Sequence, residues 1–311
     1  MGWLGKRRSF EHSASRQPVL GTVATLQCLT SNRRCAQTSE HAYFDSLERD
    51  ERRFSVFHPE SELSRWRRGD VEIPSRDLVE LLEFGAHWMA RSGGVLNPAV
   101  GVVADRWKRA ANDGTAPDRA ELAELVRGIR EPRYRVRDDR AVERLGSCAE
   151  LTFHSLAKGY LVDRAAAAAF VDGVRSAVAN VGGDLVHIGD GAVVVNVEDP
   201  LRPYDNAEPI ASVRLCRGAM ATSGGSRRRH QINGEWFSHI IDPRSGWPVK
   251  TIASASVVAR SCVEADAIAT VLSVLDPEEG LAFASGAGVA ALVVDAAGAQ
   301  FANEAWRAIE A

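Results

Sequence analysis

The segment Ala157–Gly189, AKGYLVDRAAAAAFVDGVRSAVANVGGDLVHIG, changes its pattern midway. Ala157 to Phe170 is alanine-rich and reads as a helix, alanine having the best intrinsic helix propensity. Ala177 to Asn180 reads as a short buried strand, Gly182-Gly183-Asp184 as a tight turn, and Leu185 to Gly189 as the next strand. The residues that follow keep this character. Gln231-Ile232, Asn233-Gly234 and Glu235 to Ile241 form a hairpin signal, because Asn-Gly suits a type I′ turn. Asp242-Pro243-Arg244-Ser245-Gly246 follows as a turn. A strand at about Ser254 to Ala259 leads into a helix at about Val263 to Leu275, and strands around Val289 to Asp295 and a short terminal helix close the chain. Strands and helices mixed without a regular βαβ repeat predict an α+β fold rather than a doubly wound parallel sheet.

In the first half, Val19 to Leu29 alternates like a strand, and a helix is expected from about Thr38 to Arg52 with Tyr43, Phe44 and Leu47 on one face. Ser61 reads as a helix N-cap after a proline-marked loop. Ser75 caps a helix running to about Arg91, which Gly93-Gly94 ends. Asn112 to Pro117 reads as a polar loop, Pro117 to Ile129 as a short helix, and from Tyr134 the pattern turns toward β.

Composition bounds what such a chain does. Its 311 residues are 45% hydrophobic and 25% charged, as in a soluble globular chain of one large domain or two modest ones. No stretch reaches the roughly 20 apolar residues of a membrane span. The 38 basic residues nearly balance 41 acidic ones, so no general excess of charge is available to hold nucleic acid or an anionic membrane. Only Lys6, Lys108, Lys158 and Lys250 are lysines, which gives weight to a lysine that falls in a motif. Five scattered cysteines with no C-x-x-C pair read as thiols in a reducing compartment, not as a disulfide framework or a zinc site. Arg7-Arg8 lacks the apolar region of an export signal, so the expected location is cytoplasmic.

Several side chains could carry chemistry. Asp266 and Thr270 lie four apart on one helix face among small apolar neighbours. Their oxygens suit a hard cation such as Mg²⁺; alternatively Asp266 caps the helix and Thr270 bonds back to a carbonyl. Lys158, near a helix start, opposes the helix dipole and is placed to gather a phosphate, or else faces solvent. Gly182-Gly183-Asp184 and Ala221-Thr222-Ser223-Gly224-Gly225-Ser226 are either plain turns or cradles whose N–H groups hold an anion. His239, at a strand end before Asp242-Pro243, is either structural or a base or ligand. The run Arg227-Arg228-Arg229-His230 reads as solvated surface. No Walker A, G-x-G-x-x-G, G-x-S-x-G or H-E-x-x-H motif is present.

Taken in order, these pieces resemble one family. Phe54-Ser55 with Ser61-Glu62-Leu63-Ser64-Arg65, Asn97-Pro98-Ala99-Val100-Gly101, Ala157-Lys158-Gly159-Tyr160 with Asp163, and Asn180-Val181-Gly182-Gly183-Asp184 are similar to motifs of the ApbE family, the FAD:protein FMN transferases. So are Ala221-Thr222-Ser223-Gly224, Ser238-His239-Ile240-Ile241-Asp242-Pro243-Arg244-Ser245-Gly246-Trp247-Pro248, and Ala265-Asp266-Ala267 with Thr270. The resemblance runs from about Leu20 to Asp295.

The resemblance implies an ApbE-type, T-fold-like α+β arrangement in a single unit over 1–311, with 1–18 an N-terminal extension and the core at about 19–300. It implies a Mg²⁺-dependent enzyme that takes FAD as substrate and passes FMN to a Ser or Thr hydroxyl of an acceptor flavoprotein, releasing AMP. By position, Asp266, Thr270 and the Ser155 carbonyl would hold Mg²⁺, and His239 would be the base, with Asp266 the other catalytic residue. Phe57, Asn97, Thr152, Lys158, Gly183, Asp184, Ser223, His239, Ile240 and Asp242 would surround the FAD. Phosphoryl-type transfer asks the protein for positioning and charge neutralisation, and the nucleophile belongs to the partner. Four positions depart from the family pattern: Asn97 stands where Asp is common, Ala99 where Thr is, Thr152 where an acidic residue is, and Phe57 where Tyr is. The alternatives are a pyrophosphatase giving free FMN and AMP, and a non-catalytic FAD-binding protein.

Overall fold

The computed structural model describes residues 10–202, 204, 207–225 and 229–311. Lys6, Arg7-Arg8, Ser226 and Arg227-Arg228 therefore lie outside the described residues. The chain opens with strands β1 (Phe10–Val19) and β2 (Thr22–Thr30). Helices α1 (Arg33–Phe54), α2 (Glu62–Arg68), α3 (Arg76–Arg91), α4 (Gly101–Asp113) and α5 (Arg119–Ile129) follow. A small hairpin, β3 (Tyr134–Val136) and β4 (Val142–Arg144), leads to α6 (His154–Ala169). Then come β5 (Val174–Val181), β6 (Asp184–Gly189), β7 (Val193–Val197), β8 (Ala211–Leu215), β9 (Gly218–Gly224), β10 (Arg229–Ile232), β11 (Glu235–Ser238) and β12 (Ile252–Ala259). The chain ends with α7 (Cys262–Leu272), α8 (Pro277–Ala287), β13 (Ala290–Asp295), β14 (Gln300–Ala302) and α9 (Glu304–Arg307).

Eight of the described strands form one sheet in the order β1-β2-β5-β6-β9-β12-β13-β14, every pairing antiparallel. The α+β expectation holds for this reason: neighbouring strands return by turns or long excursions, never by the right-handed crossover that a parallel sheet demands. One face carries α1, α6, α7 and α8 over a core that includes Leu26, Leu47, Leu156, Val162, Ala177, Val257 and Ile268. The opposite face is covered in part by the β7–β8 hairpin and α9, through Leu185, Val213, Leu215, Met220, Leu292 and Trp306. Among the described residues no helix is long and apolar enough to cross a membrane.

Local signals explain the elements read correctly. The Ser61 and Ser75 hydroxyls accept the amides of Ser64 and Leu78 and cap α2 and α3. Asn233 and Gly234 have φ of 49° and 82°, the backbone a type I′ turn requires. Four expectations need correction. Residues 10–18, set apart as an extension, form most of the edge strand β1. The loop expected from Asn112 begins only at Gly114, because α4 runs through Asp113. Helix α8, absent from the sequence reading, starts at Pro277 behind an Asp276 cap. The Ala221–Gly224 run is no turn but the second half of β9, in the middle of the sheet. A Cβ on Gly224 would stand 2.7 Å from the Ala253 carbonyl, so glycine there permits close strand approach.

Candidate active site

Helix α6 and helix α7 cross at Gly159. A Cβ at that position would lie 2.5 Å from the Cys262 carbonyl oxygen and 2.8 Å from the Val263 Cα, so only glycine lets the two backbones touch. Asp163, four residues on along the same face of α6, accepts the backbone N–H groups of Cys262 and Val263 at 2.8 and 2.9 Å. One turn into α7, Asp266 is turned toward α6 and accepts the Gly159 N–H at Oδ2, 3.3 Å away. Asp266 is therefore no helix cap; Ser261 fills that role by accepting the Glu264 amide.

The Gly159 amide carries a second implication. In an α-helix its acceptor four residues back is the Ser155 carbonyl. The Ser155 carbonyl and the Asp266 carboxylate thus converge on one N–H, and Thr270 follows Asp266 by one turn of α7. A carboxylate and a main-chain carbonyl thus meet at the crossing, and the Thr270 hydroxyl belongs to the next turn of α7. Among the described residues no group of three His, Cys, Asp or Glu side chains could hold a metal, so any cation here draws on such a mixed set.

Lys158 projects from α6 to the start of β6, where its Nζ stands 2.9 Å from Asp184 Oδ2. Asp184 is fully buried. Burial, then the charge of Asp266, drives its carboxyl well above the usual carboxylate range, while Lys158 and the Thr222 amide pull the other way. Asp266 is likewise raised by burial, against Lys158 and the Gly159 amide. For Lys158, burial acts to lower the pKa, but the two carboxylates outweigh it and the ammonium is held charged. Two buried carboxyls thus share a single ammonium, and ionising both would leave negative charge uncompensated in a place where charge is expensive, so their affinity for protons rises.

Of the remaining candidates, Gly183 and Ser223 belong to the sheet near this cluster, and His239, Ile240 and Asp242 follow β11 beside the end of β9. Gly183 occupies the β5–β6 turn with φ of 97° and donates its amide to Asn180 Oδ1, with open space on its Cβ side. Because Leu185 pairs with Met220, Asp184 lies beside Ala221 and Thr222 of β9, with Ser223 next along the strand. At the end of β9, Gly225 approaches Ser238 so closely that a Cβ would be 2.7 Å from its hydroxyl. The exposed His239 is the next residue. Ile240 donates its amide to Ser238 Oγ, and its carbonyl accepts from Val249. Asp242 is committed to its own turn, pairing with Arg244 at 3.0 Å.

Two further groups frame the start of α6. Phe57 is 81% exposed, and its ring stacks on His154 at 5.5 Å between centroids. This brings Phe57 next to Ser155. Thr152 donates its amide to the Pro98 carbonyl at 2.7 Å, and its hydroxyl oxygen is buried without a hydrogen-bond partner. Asn97 is buried and bridges the Ala99 amide and the Ile129 carbonyl, both at 2.8 Å, so its side chain shapes the loop before α4. Sequence reading missed His154 and the roles of Gly159 and Asp163. The four-residue spacing of the last two, facing a second helix, was the available signal.

A profile of the ApbE family matches residues 20–293. The FAD:protein FMN transferase of Rhodobacter capsulatus is 30% identical over 258 residues, which cover 81% of this chain and 49% of that protein. The chain thus spans about half the length of that relative. The FAD:protein FMN transferase of Treponema pallidum (strain Nichols) is 28% identical over 308 residues, covering 91% and 84%. Among solved structures, the ApbE protein of Thermotoga maritima superposes with a TM-score of 0.82 at 22% identity over 98% of this chain and all of the other. The flavin transferase ApbE of Vibrio cholerae gives 0.77 at 19% identity over 97% of this chain and all of the other. The likeness of fold and the ordered motifs around the α6–α7 crossing agree with the match along the sequence: the chain belongs to the ApbE family.

Proposed function

We propose that this chain transfers the FMN moiety of FAD to a Ser or Thr hydroxyl of an acceptor flavoprotein and releases AMP, using Mg²⁺. The observation that carries the reading is the buried cluster at the helix crossing, two carboxylates against the one ammonium of Lys158. Such a cluster of hard oxygens, in which a bound cation would take the place of a proton, suits a small divalent cation. Asp266, Thr270 and the Ser155 carbonyl would hold Mg²⁺, which when bound neutralises charge developing on the pyrophosphate oxygens.

The chain's own groups do the rest. Lys158, oriented by Asp184, presents a fixed positive charge to a phosphate. The exposed ring of Phe57 offers a flat face to the flavin. In the transfer, the acceptor's hydroxyl oxygen forms a bond to the FMN phosphorus, and the bond from that phosphorus to the bridging oxygen breaks with AMP as leaving group. His239 takes the hydroxyl proton. The exposure of His239 and Phe57 also supports a second reading, in which water replaces the acceptor and FAD is hydrolysed to FMN and AMP. Chromatography of FAD incubated with the protein and Mg²⁺, with and without an acceptor bearing a Ser/Thr target, separates the two. Transfer predicts AMP and acceptor-bound flavin only when the acceptor is present; hydrolysis predicts free FMN without it. FAD unconsumed under every condition contradicts both.

A further inference from the structure

The geometry points to Asp163 as the positioning residue that fixes the rotation of α7, and with it the place of Asp266 and Thr270 as cation ligands. The inference rests on the Mg²⁺ assignment made above. Helix α7 already has a local cap, since Ser261 accepts the Glu264 amide through its hydroxyl and the Ala265 amide through its carbonyl. The Cys262 and Val263 amides are left to a carboxylate from another helix, one oxygen to each. Such a two-point grip resists rotation of α7 about its own axis, which a single bond does not.

Gly159 supplies the other constraint. Its missing side chain sets the distance between the helices, and its amide meets Asp266 on the same face that Asp163 grips from one turn away. The lever is sensitive: with side chains reaching about 5 Å from a helix axis, turning α7 by about 20° would carry the Asp266 carboxylate through about 2 Å. Ligand distances in a metal site tolerate only about 0.2 Å. Asp163 touches neither ligand, yet the placement of both depends on it, which is the logic of outer residues that orient metal ligands.

The test is calorimetric titration with Mg²⁺ alone of the wild type, Asp163→Asn, Gly159→Ala, Asp266→Ala and Ser261→Ala, each at a temperature where urea unfolding shows it to be folded. Asp266→Ala is expected to lose binding. Asp163→Asn is expected to bind Mg²⁺ about 10- to 100-fold more weakly. Gly159→Ala, which forces the helices apart, is expected to do the same and serves if Asp163→Asn does not fold. Ser261→Ala loses a cap bond of α7 but not the grip, so it should lose stability while keeping wild-type affinity. Wild-type affinity in Asp163→Asn or Gly159→Ala overturns the positioning role and leaves the metal assignment standing, as does an equal loss of affinity in Ser261→Ala. Failure of the wild type to bind Mg²⁺ overturns both.

Discussion

Lys158 sets its Nζ 2.9 Å from Asp184, a fully buried carboxylate on another element. One of four lysines in an arginine-rich chain, it stands out by rarity and by its place in a motif, and in the fold it is the cation between Asp184 and Asp266. Asp184 was legible as part of a glycine-rich motif and as a residue expected near FAD, but not as the partner of Lys158. Its ion pair joins a strand start to a helix, and no local spacing encodes such a contact. Asn97 shows the opposite limit, a motif position whose side chain is engaged by Ala99 and Ile129. The ion pair makes a prediction at this scale. Lys158→Met should destabilise the chain by about 3 kcal/mol, the lower end of the range for stripping one partner from a buried pair, since Lys158 retains some solvent contact. Urea unfolding measures it, and a variant as stable as the wild type would contradict the account of the cluster.

At the scale of elements, what could be read depended on whether the signal was local. Helices capped by Ser61 and Ser75, and the Asn233-Gly234 hairpin, carry their own punctuation. Strand β9 does not: Ser223, Gly224 and Gly225 look like a breaker, and only the neighbouring Ala253 and Ser254 backbone explains glycine there. The α6–α7 crossing is likewise a tertiary fact. Burial lifts the Asp163 carboxyl from 3.8 to about 6, against the Cys262 and Val263 amides, which favour its charged form. The folded pKa lies above the unfolded one, so the folded chain holds this proton more tightly. Its contribution to stability is therefore complete below about pH 4 and is lost as the pH rises through about 6. The span corresponds to about 3 kcal/mol. Asp163→Asn removes the titration, so the difference in stability, wild type minus variant, should fall between pH 4 and 7. Urea unfolding of both across that range checks the sign; a difference that rises with pH would contradict it.

For the whole molecule, the antiparallel sheet divides the labour between its faces. The helical face assembles the site, and the other carries a smaller core beneath β7, β8 and α9. That second core depends on residues distant in sequence, with Trp306 fully buried against Leu185, Val213 and Met220, which is why β7, β8 and α9 were invisible as a layer. Trp306→Ala should cost about 3–5 kcal/mol, as large-to-small changes of a buried aromatic do, while leaving the chemistry at the α6–α7 crossing unchanged in the folded fraction. Urea unfolding together with FAD turnover at low denaturant separates the two effects. The proposed transfer of FMN is tested most directly by mass spectrometry of an acceptor flavoprotein incubated with FAD, Mg²⁺ and either the wild type or a folded Asp266→Ala variant. The account predicts an acceptor heavier by one FMN at a Ser or Thr, with one AMP released per flavin attached, for the wild type alone. An unmodified acceptor with the wild type, or equal modification by Asp266→Ala, would contradict it.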